Sequence, residues 1–285
     1  MTEQSQRRAR YYAKAVWIVG ASSGIGQELA LQLLRQGAFV VLSSRNKDAL
    51  MTIAHSYPNQ TCVLPVDLES INDAWIEQAM NMIKHRFNRL DYLFLNACMS
   101  HDYTAYELST IMTDRRIFEV NFFGLVQIAK HVAKLFVQQG RGHLVVTSSV
   151  MGKFGYPRRS SYCASKHALQ GYFNALRTEL ALESSDIHTT LLVLGAIDTS
   201  IGFNAVDHRG DALNKKGDFQ KHGSPVTTTV SRILIAVYKR KTEVIIGKQG
   251  RVSVWLNRWF PSFFYKLVCR NSTTQYKENT HVRSS

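Results

Sequence analysis

The chain has 285 residues, of which 45% are hydrophobic, and a formal net charge of +14. This is the composition of a globular chain with a sizeable core, and length alone leaves one large or two small domains open. Cys62, Cys98, Cys163 and Cys269 form no C-x-x-C pair. That argues against a metal site or a disulfide framework and fits a reducing, cytoplasmic setting.

In chain order, residues 1–13 form a polar, arginine-containing arm with no apolar stretch of the secretory-signal kind. An apolar run, Val16–Val19, then meets the glycine-rich turn Gly20-Ala21-Ser22-Ser23-Gly24-Ile25-Gly26. An amphipathic helix follows, with Ile25, Leu29 and Leu33 on one face and Gly37 at its end. Further strand-like runs are Phe39–Leu42, Thr61–Val66, Tyr92–Leu95, His143–Thr147, Thr189–Leu194 and Glu243–Ile246. The longest helical pattern spans about Thr113 to Gln138, with Leu125, Ile128, Ala129, Val132, Ala133 and Phe136 as its stripe. No uninterrupted apolar run reaches the roughly 18 residues of a membrane span. Continuously apolar strands separated by amphipathic helices predict an α/β fold, a doubly wound parallel sheet of Rossmann type covered on both faces. Residues 14–250 make up this domain. Within it, 200–224 read as a substrate loop, and 251–285 as an aromatic and basic extension.

Strand, glycine turn and helix together make a nucleotide site: the backbone approaches a pyrophosphate and the helix start offers free N–H groups. The spacing is G-x-x-x-G-x-G. Downstream, Tyr162 and Lys166 stand four residues apart, on one face of a helix. A nearby ammonium favours the phenolate, so Lys166 is expected to lower the Tyr162 pKa from about 10.

These motifs occur in the order and spacing of the short-chain dehydrogenase/reductase family, which the chain resembles from about residue 14 to 200. The matching residues are Gly20 to Gly26, Asp67, Asn96 and Ala97, Asn121, Ser149, Tyr162 with Lys166, and Ile197-Asp198-Thr199. The resemblance implies catalysis by Asn121, Ser149, Tyr162 and Lys166. Tyr162 is the general acid/base and Ser149, 13 residues earlier, orients the substrate oxygen. Lys166 also holds the nicotinamide ribose, and Asn121 holds a water that links the lysine to solvent. A structural asparagine in an apolar helix is the other reading of Asn121. Cofactor contacts fall to Gly20, Ser22, Ser23, Gly24, Ile25, Gly26, Ser44, Arg45, Asp67, Leu68, Asn96, Ala97, Ile197 and Thr199, besides Tyr162 and Lys166. Asp67 resembles the residue that bonds the adenine amine; alternatively it caps the helix starting near Asn72.

The second strand ends Leu42-Ser43-Ser44-Arg45, with no carboxylate at its tip. A carboxylate there would select NAD through the ribose hydroxyl, whereas an arginine accommodates the 2′-phosphate. NADP(H) is therefore the expected cofactor, unless Arg45 is simply a solvated surface arginine. The implied reaction interconverts a small-molecule carbonyl and alcohol in a homodimer or homotetramer. A catalytically silent NADP(H)-binding sensor or scaffold is the alternative. Two positions depart from the family: Cys98 replaces a glycine after Asn96-Ala97, and Leu194-Gly195 replaces a Pro-Gly opening.

A basic chain can bind nucleic acid, but the charges are spread and no nucleic-acid motif accompanies them, so no such partner is expected. Between 252 and 270 aromatic and basic residues interleave, and Pro261 breaks any single long helix. A pocket cover or a subunit interface is favoured there over peripheral membrane contact.

Overall fold

The computed structural model describes residues 10–104, 106, 111–199, 205–214 and 223–281, with side chains to residue 272. The seven apolar runs form β1 (Ala15–Val19), β2 (Phe39–Ser43), β3 (Thr61–Val63), β4 (Tyr92–Leu95), β5 (Gly142–Ser149), β6 (Ile187–Leu194) and β7 (Glu243–Ile246). They make one parallel sheet in the order β3-β2-β1-β4-β5-β6-β7. Ile18 lies opposite Leu42 and Phe94, and Val146 opposite Leu95 and Leu191. The winding reverses between β1 and β4. At such a point the loops diverge and leave a crevice at the carboxyl ends of the strands. β3 is shorter than the run Thr61–Val66 because Pro65 has no N–H, although Leu64 and Val66 still donate to Leu42 and Ser44 carbonyls.

Strand side chains alternate between two cores. Val16, Ile18, Val40 and Leu42 pack under α1 (Gly24–Arg35), α2 (Lys47–Ser56) and α7 (Val226–Tyr238). Trp17, Val19, Leu93 and Leu95 pack under α3 (Asp73–Phe87), α4 (Ile111–Phe118), α5 (Gly124–Gln139) and α6 (Ser160–Glu183). Both faces are therefore dry, which is why the strands carry no polar alternation.

The helix expected from Thr113 to Gln138 is interrupted. A π-helical turn, Glu119–Phe123, joins α4 to α5 and contains Asn121. Such insertions favour functional sites because they re-aim a side chain without ending the helix. By length and composition Ile111–Gln139 could cross a membrane. Its apolarity is accounted for by Leu125, Ile128, Ala129, Val132 and Phe136, all buried against the sheet.

Two boundaries differ from expectation. Residues 10–13 belong to the fold rather than to a free arm: Tyr11 is buried and its hydroxyl donates to the Leu234 carbonyl at 2.8 Å, while the Arg10 guanidinium lies 4.9 Å from the Tyr238 ring centroid. Residues 1–9 lie outside the described residues. At the other end α8 (Lys248–Trp259) and α9 (Pro261–His281) follow β7 directly. Pro261 opens α9, where its missing N–H costs nothing.

Candidate active site

The glycine turn is built by close backbone approach. Gly20 has φ +92, and a Cβ there would stand 2.5 Å from the Ala97 nitrogen. A Cβ on Gly26 would fall on the Gly20 carbonyl oxygen. Asn96 braces this packing: its Nδ2 donates to the Gly20 carbonyl at 3.2 Å and its Oδ1 accepts from the Thr147 hydroxyl at 3.1 Å. Ala97 donates to the Val19 carbonyl at 2.8 Å. Ser23 occupies the N-cap of α1 but its side chain makes no capping bond. The helix start, between half-buried Ser22 and Ile25, thus suits an anion by dipole and by N–H supply. Thr199 lies over the turn, 3.4 Å from where a Gly24 Cβ would stand, and Ile197 beside it is buried. These residues fit a dinucleotide pyrophosphate.

Ser44 and Arg45 follow β2, and Asp67 and Leu68 follow β3, on neighbouring strand ends. Arg45 is 55% exposed and its Nη1 lies 3.2 Å from Glu69 Oε1. The other carboxylate oxygen of Glu69 holds Arg116 Nε at 2.8 Å. Glu69 therefore sits between two cations at the place where a second phosphate is expected. The Ser44 hydroxyl donates to the Asn46 carbonyl at 3.4 Å. Asn72, not Asp67, caps α3, accepting from the Trp75 N–H at 2.9 Å. Asp67 is exposed and accepts from the Glu69 N–H at 3.1 Å, and Leu68 is buried against Gly124.

The alternation of β5 separates its two terminal serines. Ser148 Oγ donates to the Lys166 carbonyl at 3.2 Å and accepts from Gln170 Nε2 at 3.0 Å, which fastens the strand to α6. Ser149 accepts from the Met151 N–H at 3.2 Å and hydrogen-bonds the Tyr162 phenol. Ser149, as the spacing implied, is the serine beside the tyrosine. Lys166 is buried, with Nζ donating to the Thr147 carbonyl at 3.0 Å and standing 5.7 Å from the Tyr162 ring centroid. Burial lowers its pKa, with Cys98 pulling it back up.

The expected depression of the Tyr162 pKa is not found. Burial raises it well above the ordinary phenol, Cys98 raises it further, and the Ser149 bond lowers it in part. The ammonium is directed at the Thr147 carbonyl and stands 5.7 Å from the Tyr162 ring centroid, and it does not offset the desolvation.

Asn121 is fully buried. Its Oδ1 accepts from the Met99 N–H at 2.6 Å, and its Nδ2 donates to the Met99 carbonyl at 2.9 Å and to Ser165 Oγ at 3.0 Å. Its side chain thus ties the segment after β4 to α6.

That segment also holds residues that no motif announced. His101 Nε2 accepts the Tyr162 N–H at 3.3 Å, supplying a cap to the first turn of α6 where Arg159 supplies none. Its backbone pairs in parallel with Val206, the only part of the substrate loop bridged to it among the described residues. Asp102 takes Arg158 Nε at 2.6 Å and Arg159 Nη1 at 3.4 Å. Tyr103 and Ser161 both donate to Asp114 Oδ1. Burial, helped by Arg159, lowers the His101 pKa to about 4, so the imidazole stays a neutral acceptor. Residues 200–204 and 215–222 of the expected substrate loop lie outside the described residues.

A doubly wound sheet with a glycine cradle at its crevice, and a Ser-Tyr-Lys set at the end of β5, defines a dinucleotide-dependent oxidoreductase. Residues 14–209 match the family described as short chain dehydrogenase, and the chain belongs to that family. It is 31% identical to the dehydrogenase/reductase SDR family protein 7-like of Drosophila melanogaster, over 99% of this chain and 87% of the relative. It is 32% identical to the dehydrogenase/reductase SDR family member 7B of Rattus norvegicus, over 96% and 86% of the two chains. Among solved structures, a short-chain dehydrogenase/reductase from Burkholderia phymatum in complex with NAD superposes with a TM-score of 0.78 at 20% identity, covering 87% of this chain and 94% of that one. One from Burkholderia cenocepacia in complex with NADP gives 0.74 at 20% identity, covering 90% and 98%. The chain is an oxidoreductase of this family.

Proposed function

We propose that the chain is an NADP(H)-dependent reductase and dehydrogenase that interconverts a carbonyl and an alcohol, with Tyr162 as general acid/base. The observation that carries this reading is the meeting of Tyr162, Ser149 and Lys166 at the end of β5, two strands along the sheet from the glycine cradle that follows β1. A nicotinamide cofactor supplies hydride chemistry when bound. Ser149 orients the substrate oxygen by a hydrogen bond, and Tyr162 delivers a proton to that oxygen in reduction or removes one in oxidation. Lys166 fixes a positive charge behind the tyrosine, and Asn121 and His101 hold the segment that carries both. Arg45, at the tip of β2 with serine rather than a carboxylate before it, supports NADP(H) over NAD(H).

A silent cofactor-binding sensor has no need of Asn121, Ser149, Tyr162 and Lys166 together, so the enzyme reading is preferred. We place the protein in the cytosol, since none of its four cysteines forms a disulfide. A homodimer or homotetramer through α5 and α6 is supported by exposed Val137 and Leu182 on those helices and by exposed Phe123 on the π turn that leads into α5. The decisive experiment follows NADPH and NADH oxidation with aldehydes, ketones, quinones, steroids and 3-oxoacyl thioesters, using the parent chain and Tyr162→Phe. Turnover that collapses in the variant while NADPH still binds is the expected outcome. Parent-like turnover in Tyr162→Phe would remove Tyr162 from the mechanism.

A further inference from the structure

The last part of the chain is unlike the rest of its surface. Fifteen large hydrophobic side chains are exposed among the described residues, and six of them fall between Val252 and Tyr265. Val252, Trp255 and Trp259 recur at i, i+3 and i+7, along one face of α8. Phe260 and Phe263 continue the patch into α9. Trp255 is 54% exposed, Trp259 63% and Phe263 59%. The patch is held in place: Trp255 and Phe260 ring centroids are 5.7 Å apart, and the Arg258 guanidinium lies 5.9 Å from the Trp259 ring centroid. Phe264 turns inward, packing edge-on against Phe154 with ring centroids 4.8 Å apart, and Val254, Leu256 and Val268 pack against the same cluster. Asn257 Nδ2 adds a bond to the Lys153 carbonyl at 3.0 Å. The exposed side chains of the patch are displayed on two helices pinned to the segment that follows Ser149.

Charge chooses the occupant. From Val244 to Lys277 the chain has Lys248, Arg251, Arg258, Lys266, Arg270 and Lys277 and not one Asp or Glu. A second copy docking by this face around a twofold axis would set the same cations against themselves, with no carboxylate in the patch to pair them. An anionic lipid surface offers both things the patch needs. Its headgroup region accepts tryptophan, phenylalanine and tyrosine, and its negative potential attracts the surrounding cations.

We propose that the face formed by Val252, Trp255, Trp259, Phe260 and Phe263 is a peripheral docking surface for an anionic membrane. The surface lies in the interface plane, with the apolar side chains among the headgroups and the arginines and lysines above them.

Flotation of the full chain with phosphatidylcholine vesicles, with and without phosphatidylserine, tests this. The chain is expected to float with the anionic vesicles and to be released as salt is raised. Arg258→Gln and Lys266→Gln are each expected to weaken partition about fivefold. A triple variant, Trp255→Ser, Trp259→Ser and Phe263→Ser, should stay in the bottom fraction while its melting temperature holds, since these side chains are exposed. Tryptophan emission of the parent protein should shift to the blue on anionic vesicles and be quenched by brominated lipid, a readout that requires no variant. No flotation and no quenching at low salt would overturn the proposal, as would equal flotation of the triple variant. A parent that ignores vesicles, with a triple variant that splits a dimer in sedimentation velocity, would assign the face to a second copy instead.

Discussion

Glu69 is the residue on which the cofactor reading can be tested most sharply. It holds Arg45 through one oxygen at 3.2 Å and Arg116 through the other at 2.8 Å. If Arg45 receives the 2′-phosphate, NADPH must draw that guanidinium away from Glu69, whereas NADH makes no such demand. The Arg45 side chain is 55% exposed, so solvent screens the pair and its worth is about 0.2–1 kcal/mol. Glu69→Gln is therefore expected to tighten NADPH by up to about fivefold and to leave NADH unchanged. Removing Arg45 takes away a charge-assisted bond worth about 1.5–3 kcal/mol, so Arg45→Gln should weaken NADPH by about 10- to 150-fold. The two effects are linked through one contact, so the gain from Glu69→Gln should vanish when Arg45 is already Gln. Dissociation constants for both cofactors, from fluorescence titration at two salt concentrations, supply the whole cycle. A NADPH-to-NADH ratio that stays the same in Arg45→Gln would refute the reasoning. So would a Glu69→Gln gain that persists without Arg45, because Glu69 would then act through Arg116 or through the general field.

Three further outcomes are expected. His101→Ala removes the acceptor for the Tyr162 N–H, so turnover should fall about tenfold or more with NADPH affinity intact. His101→Gln, which keeps an acceptor, should recover much of the loss, and faster hydrogen exchange of the peptide spanning 158–166 should accompany only the Ala variant. Equal exchange in all three proteins would count against the role. Acid should destabilise the fold well above the carboxylate range. Burial lowers His101 to about 4, and burial with His188 and Arg240 lowers His143 to about 3. The unfolded chain takes up both protons near pH 6.5 while the folded chain refuses them. Stability is thus fully present above that pH and declines toward the folded values. The loss should reach about 2 kcal/mol per histidine by pH 5, and urea midpoints that do not move between pH 7.5 and 5 would contradict it. Finally, Gly26→Ala forces a methyl onto the Gly20 carbonyl, so cofactor binding should be lost even if the chain folds. Unchanged binding of NADPH by calorimetry would show that α1 can retreat from β1.

All seven strands were legible because each is built on a short, mostly apolar run, as a sheet buried on both faces requires, even though β5 and β6 also bury His143, Ser148, Thr189 and Thr190. The glycine cradle was legible for a related reason: Gly20 and Gly26 have no room for a Cβ, so the constraint appears as residue identity. The π turn at Glu119–Phe123 left no such trace. Its apolar periodicity differs from that of an uninterrupted helix by a single inserted residue. The same holds for the His101 cap. A side chain that caps a helix 61 positions away obeys no local spacing, and His101 differs from a surface histidine only after Val206 and Tyr162 are brought against it. Arg45 lies between these cases: its place after β2 was readable, but its engagement with Glu69 depends on β2 and β3 being neighbours.

The failure of the expected pKa depression bears on how Tyr162 is used. A phenol raised by burial is protonated throughout the physiological range, which is the form needed to donate to a carbonyl oxygen. Delivery of its proton leaves a phenolate in a buried site, and there the Lys166 charge and the Ser149 hydroxyl act most strongly. Fixed charges and donors stabilise charge that develops during reaction far more in a dry site than in water. In the proposed mechanism Lys166 need not lower the resting pKa to assist catalysis. Held by the Thr147 carbonyl, it is already in position when the phenolate forms. Burial, which defeats the simple tyrosine–lysine argument from spacing, thus keeps the proton on Tyr162 until, in the proposed mechanism, a substrate oxygen takes it, and the same residues serve reduction and oxidation alike.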